Sequence, residues 1–339
     1  MASLADFGND LYTGKRSFNI VGRRKTWYTV AAVMILISIL GPLLRGGFTF
    51  GIEFSGGSQF QLHTSEVREE APAEEAVASV LPDSVPRISM VGTNEIRVQT
   101  EQLSKSDSRD LREALASAYD LEVEDVTSSF IGASWGKDIT RQAVIALIVF
   151  MLFAAVVMAL YFRTWKMSLA AMTALFHDLI ITAGVYGIIG FEITPATMIG
   201  FLTILGYSLY DTVVVFDKIR ENTTPGELNE ARTFGESVNL AVNQTLVRSI
   251  NTSVVALLPV ASILFIGAFI LGAGTLRDIS LALFIGILVG AYSTIFIAAP
   301  VYSHLREGEP EIKKHDEKVL RTREREAARE GALEAPGSE

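Results

Sequence analysis

Six apolar runs, each close to or above the length needed to cross a hydrocarbon layer, dominate this 339-residue chain and restrict it to folds built from membrane-spanning helices. They cover residues 27–44, 143–162, 167–191, 194–216, 252–271 and 279–304. In lipid no water satisfies a backbone amide or carbonyl, so a run of about 20 apolar residues must bond to itself as a helix. Only 20% of the residues are charged, mean hydropathy is +0.34, and the charges gather at the two ends and in two internal stretches. Basic residues Arg23, Arg24 and Lys25 precede the first run, as in a signal peptide. That run exceeds a usual h-region and no A-x-A-like site follows it, so it is expected to remain as a helix.

Basic residues in short loops set the orientation. Lys15, Arg16, Arg23, Arg24 and Lys25 precede the first span, Arg163 and Lys166 follow the second, and Lys218, Arg220 and Arg232 follow the fourth. The other short loops hold only Glu192, or Arg277 with Asp278. Segment 1–26 and tail 305–339 are therefore both expected on the cytoplasmic side. A net charge of −9 gives no support to nucleic-acid binding. With no cysteine, the outer region must fold without disulfides, and thiolate metal sites are excluded.

Residues 45–142 are too many for a loop and enough for a small domain. SQFQLH alternates as a strand does, APAEEAVASVL carries a proline near its first turn as helices do, and RISMV and EIRVQ read as strands joined by a turn at 92–94. A second helix places Leu111, Leu115 and Ala118 on one face, and VEDVTSSFIG supplies a fourth strand. The order β-α-β-β-α-β predicts a ferredoxin-like α+β domain outside the membrane. Residues 217–251, with turn chemistry at TTPGE, predict an amphipathic helix along the cytoplasmic membrane face. The tail predicts a solvated helix or a disordered end.

Asp211 is the feature least suited to its surroundings. It falls within the fourth run, roughly 8 Å from its cytoplasmic end, where an Asp at helix centre costs about 2.5–3.5 kcal/mol to insert. Tyr207, Ser208, Thr203 and Gly200 lie within about 80° of it on a helical wheel, a face suited to other helices or a hydrated cavity. Asp211 is thus a candidate proton-responsive group, or a polar link that holds the bundle together. Arg248, at the start of the fifth run, is available to hold Asp211 ionised, or serves only the positive-inside rule. His177 and Asp178 sit mid-way along the third run as a proton relay or a buried hydrogen-bonded pair, and no further ligands of suitable spacing make them a metal site. Asp217, beside Lys218 and Arg220 at the interface, is an anchor or a gating residue.

Five ordered motifs resemble the SecF family, membrane subunits of the bacterial protein-secretion machinery. FGIEFSGGSQF is similar to the family's G-(L/I)-(D/E)-F-(T/S)-G-G signature through Gly51, Glu53, Phe54, Gly56 and Gly57. ALFHDLIIT, LGYSLYDTVVVFDKIREN, NQTLVRSINTS and GAYSTIFIAAP follow in the family's order. Glu53 stands where Asp is commoner, and IGASWG where VGPSVG is frequent, which affects a local turn. The resemblance covers roughly residues 20–305 and implies six helices forming one half of a resistance-nodulation-division-like bundle. It implies a SecD partner, association with the SecYEG channel and with translocating preproteins amid membrane lipids, and residence in the bacterial cytoplasmic membrane. Protons would be the coupling ion, with no other cofactor and no enzymatic step. The alternatives are a half-size proton-driven exporter of lipids or small molecules, against which six rather than about twelve spans count, and an intramembrane aspartyl protease, for which the G-x-G-D companion is missing.

Overall fold

The computed structural model describes residues 4–63, 69–91, 95–224, 231–268 and 274–334. The turn expected at 92–94, most of the TTPGE stretch and the last residues of the fifth run lie outside them. The described elements are α1 Leu4–Tyr12, α2 Arg24–Leu44, β1 Thr49–Phe50, α3 Ile52–Ser55, β2 Gly57–His63, α4 Ala71–Val80, β3 Arg87–Val91, β4 Glu95–Thr100 and α5 Lys105–Ala118. There follow β5 Val126–Ile131, α6 Ala133–Phe162, α7 Trp165–Ile189, β6 Glu192–Ile193, α8 Pro195–Thr223, α9 Phe234–Ser262, α10 Gly274–Ser293, α11 Ala299–Arg306 and α12 Pro310–Glu334.

Among the described residues six helical stretches are long and apolar enough to cross a membrane: Arg24–Leu44, Ala133–Phe162, Trp165–Ile189, Pro195–Thr223, Phe234–Ile266 and Leu276–Arg306. The last two run through π-helical turns at Ile263–Ala268 and Thr294–Ala298. Several outreach their apolar runs, because a helix keeps adding backbone hydrogen bonds after its side chains turn polar. This corrects the reading of 217–251. No separate helix lies along the membrane face among its described residues: α8 continues to Thr223, and α9 starts at Phe234 behind a Thr233–Glu236 capping box.

α7 and α8 form the middle of the bundle, half buried, while α2, α6 and α9 turn most of their apolar surface outward. Small residues permit the close crossings. A Cβ on Gly184 would stand 2.2 Å from that of Ser38, and one on Gly286 would stand 2.3 Å from Ile204 Cγ1.

The outer domain is a four-stranded antiparallel sheet in the order β3-β4-β2-β5, the ferredoxin-like arrangement. Phe60, Leu62, Ile96 and Val98 face α4 and α5, and form a core with Val77, Leu111 and Leu115. The FSGG motif makes the entry to β2. Gly56 and Gly57 have φ of +74° and +135°, and a Cβ on Gly57 would lie 2.5 Å from the Thr100 carbonyl oxygen. Gly51 donates its N–H to Ile193, and β1 pairs in parallel with β6, tying the chain after the first span to the α7–α8 connection.

The two chain ends meet at the opposite end of the bundle. Asn239 Oδ1 accepts from the Ile20 and Val21 amides, and Asn243 Oδ1 accepts from Phe18. α12 docks there through buried Ile312 and Val319, with the Phe234 amide donating to Asp316 and Arg323 paired to Glu236 at 2.6 Å. The tail is therefore a helix, and one edge of it is held rather than solvated.

Candidate functional site

α8 carries the site because three of its positions, 208, 211 and 212, share one face and each bonds a different neighbour. Ser208 Oγ donates to Asp178 Oδ2 of α7 at 2.6 Å. Asp211 Oδ2 accepts from Ser249 Oγ of α9. Thr212 and Thr294, the latter in the π-helical turn after α10, join hydroxyl to hydroxyl at 3.0 Å. Spacing of i, i+3 and i+4 makes one face of a helix, and here it makes α8 the hub of a polar cluster inside an apolar bundle. Asp178 and Asp211 are only 1% and 3% exposed.

His177 and Asp178, although adjacent on a helix, do meet: Nδ1 lies 3.3 Å from Oδ1. The imidazole also faces Tyr292 at a ring separation of 6.0 Å, and Tyr292 stacks on Phe296, which packs on Trp27 of the first span. His177 Nε2, Tyr292 Oη, Tyr207 Oη and Ser253 Oγ are all buried without a hydrogen-bond partner among the described residues. The Tyr207 hydroxyl faces Ser253 without reaching bonding geometry. Buried polar groups are normally satisfied; these four belong to α7, α10, α8 and α9 respectively.

Other predicted residues fall elsewhere. Arg248 is exposed and lies within electrostatic range of Asp211, but no ion pair joins them; its neighbour Ser249 occupies the carboxylate instead. Adjacent helical residues point about 100° apart, so only one of the two turns inward. Asp217 is outside the cluster, accepting from Tyr161 Oη at 3.0 Å and joining the end of α6 to α8. Thr203, placed on the polar face by the wheel, is exposed and bonds the Ile199 carbonyl; the buried face runs through Ile204, Ser208, Asp211 and Val215. Gly51, Glu53, Phe54, Gly56 and Gly57 belong to the outer junction and do not approach the carboxylates. Phe54 packs there against the Tyr186 and Phe201 cluster.

Sequence reasoning missed a second polar cluster at that junction. Arg97 of β4 is 7% exposed and reaches Glu192 of β6 at 2.9 Å and Glu95 at 3.7 Å. Gln99 donates to Glu192 at 3.3 Å and to Gln59 at 2.9 Å. The signal was present in EIRVQ, whose alternate residues Glu95, Arg97 and Gln99 form a polar face. That face reads as solvated until the sheet is seated on the bundle. Thr294 and Tyr292 were legible only as hydroxyls in an apolar run, and Ser249 only as a hydroxyl beside Arg248.

A six-span bundle with paired carboxylate sites at its centre and one ferredoxin-like domain outside defines a multi-pass membrane protein of the transport class. The model of "Protein export membrane protein SecD/SecF, C-terminal" matches residues 111–308. The protein translocase subunit SecF of Streptomyces coelicolor is 42% identical, over the whole of this chain and 90% of the relative. That of Mycobacterium tuberculosis H37Rv is 40% identical, over 94% of this chain and 73% of the relative. The crystal structure of SecDF from Thermus thermophilus, a translocon-associated membrane protein, superposes with a TM-score of 0.70 at 30% identity. It covers 86% of this chain, which spans 39% of the SecDF chain. The chain belongs to the SecD/SecF family. With that family comes an auxiliary role in Sec-dependent protein translocation.

Proposed function

We propose that this chain pairs with a SecD subunit and uses the proton-motive force to help complete preprotein translocation after ATP-driven initiation, with the α8 cluster as the proton-responsive element. The observation that carries the reading is the burial of Asp178 and Asp211 with hydroxyl donors in place of a cationic partner. Among the described residues each takes a serine hydroxyl, and no Lys or Arg stands within ion-pair distance. With no cation beside either carboxylate among the described residues, a proton is the counter-charge available to either site. Protonating Asp211 weakens its hold on Ser249, and protonating Asp178 changes its bonds to Ser208 and His177. In both cases the change falls on contacts between α8 and its neighbours. Arg248, within electrostatic range and with no ion-pair partner among the described residues, is the cation that a small rotation of α9 brings to Asp211.

One charge crossing 100 mV supplies about 2.3 kcal/mol, which shifts a two-state equilibrium roughly fiftyfold. One or two protons per cycle therefore suffice to move the helices. The motion reaches the outer domain through the Glu192–Arg97 contact at the end of α7. The partner follows from length and surface. A relative from Thermus thermophilus carries the name SecDF and is 33% identical over 83% of this chain but only 38% of its own. In this chain α2, α6 and α9 leave apolar surface for such a partner. Both termini are cytoplasmic by the positive-inside rule, with SecYEG and the preprotein as further contacts. No catalytic nucleophile or chemical step on the substrate enters this reading.

The test uses inverted vesicles holding a stalled preprotein, with wild type or Asp211→Asn beside SecD, and with or without an uncoupler. Gradient-dependent release by wild type, lost in the variant, is expected. Undiminished gradient dependence in an assembled Asp211→Asn complex would overturn the assignment of Asp211.

A further inference from the structure

At the end of the bundle that holds both termini lies a cavity of about 970 Å³, walled by segment 14–26, the first turns of α9, and α12. Its charge is one-sided. Glu307 is taken by Arg24 and Glu236 by Arg323, which leaves Arg23, Lys25 and Arg232 lining the space with no ion-pair partner among the described residues. We infer that this cavity binds the phosphate head of an anionic phospholipid, a site that goes beyond the proton-driven reading and does not depend on it.

Three observations support the assignment. The wall is built rather than incidental, since Asn239 clamps the Ile20 and Val21 amides and Asn19 accepts from the Gly22 amide. The cavity opens at the first turn of α2, where Lys25 and Thr26 precede the outward-facing Val30, Val33, Leu36 and Ile37. A head group seated among the basic residues would thus have its acyl chains along the apolar face of α2. Basic pockets between spans at the membrane surface are of the kind that takes anionic head groups, each Lys or Arg near the surface contributing about fivefold in affinity. The volume is at the upper end of small-molecule sites, about 300–1,000 Å³. The N-terminus of α9 does not supply the anion site: its first amides are taken by Thr233 and Glu236, and Phe234 donates to Asp316. The cations are the recognition elements.

The experiment compares the full-length protein with the triple variant Arg23→Gln, Lys25→Gln, Arg232→Gln, and with a charge-matched control, Lys313→Gln, Arg321→Gln, Arg325→Gln, on the exposed face of α12. Each is reconstituted in phosphatidylcholine bilayers with or without phosphatidylglycerol, and tightly retained lipid is counted by native mass spectrometry after detergent exchange. Retention of phosphatidylglycerol over phosphatidylcholine, reduced on the order of a hundredfold in the triple variant and little changed in the control, is the expected result. Equal retention by wild type and triple variant overturns the proposal. So does equal loss in the control, which would mean bulk charge rather than a site. Displacement of the bound lipid by millimolar inorganic phosphate also overturns it, because the site would then be one for a free anion. All six substituted residues are exposed or line the cavity, and thermal melting of each variant checks that the fold is retained.

Discussion

Two buried polar clusters lie along the α7–α8 pair, and their carboxylates find partners by different means. At the outer junction Glu95 and Glu192 share a guanidinium, Arg97, that is itself buried. In mid-bundle Asp178 and Asp211 have hydroxyl donors and, for Asp178, a histidine. The first arrangement is a fixed bond between domain and bundle. A guanidinium stays charged at any physiological pH, so the outer cluster has no state to switch to. Among the described residues the second arrangement has no Lys or Arg within ion-pair distance, and on the proposed reading it is the one a proton alters. On the proposed reading, coupling and transmission are separated by about half the length of α7, at 1.5 Å per residue from Asp178 to Ile189.

The sharpest break of that contrast is Arg97→Met. It strands two buried carboxylates and should cost about 3–5 kcal/mol, seen as a lower melting temperature and faster amide exchange at β1 and β6. Adding Glu192→Met together with Glu95→Met should recover most of the loss, and failure to recover would show that the cluster does more than satisfy itself. Ser208→Ala removes the donor on Asp178 Oδ2 without adding bulk, and should cost about 1–3 kcal/mol in denaturation of the purified protein. Asp211→Asn keeps shape and hydrogen bonding, so its melting curve should stay within about 1 kcal/mol of wild type while the gradient response disappears. A large destabilisation there would place Asp211 with the fixed bonds of the outer junction.

The smallest effect tests the pH side of the contrast outside the spans. Arg306 and then Lys166 hold the Glu309 carboxyl below its ordinary value of 4.5. A depressed folded pKa means the folded state binds its proton less readily, so the contribution of Glu309 is complete above about pH 4.5. It is lost as pH falls through the lower folded value. Glu309→Gln should lower the neutral plateau slightly and leave the acid end nearly unchanged, so that the acid limb flattens, as followed by melting temperature from pH 3 to 7.

Parts of this were legible in the chain. Asp211 announced itself because a carboxylate in an apolar run is costly, and Ser208 shared its helical face. The ferredoxin-like order of the outer domain followed from alternation and turn residues. The Arg248 partnership did not follow: sequence proximity cannot say which of two neighbouring side chains, Arg248 or Ser249, turns toward α8. The 217–251 stretch misled because amphipathic periodicity is the same for a helix on a membrane surface and for the water-exposed ends of two long spans. The outer cluster escaped notice because a polar strand face carries no sign of whether it meets water or another part of the protein.

The sequence by itself determined the number of spans, the composition of the outer domain and the presence of carboxylates in lipid, because these rest on local hydropathy and on periodicities of 3.6 and 2. Only the tertiary structure decided which groups neutralise those carboxylates. That choice depends on the rotation and depth of helices distant in sequence, set by close crossings such as Gly184 on Ser38 and Gly286 on Ile204. In that packing Ser249 meets Asp211, and Arg23, Lys25 and Arg232 line a cavity at the chain ends with no ion-pair partner among the described residues.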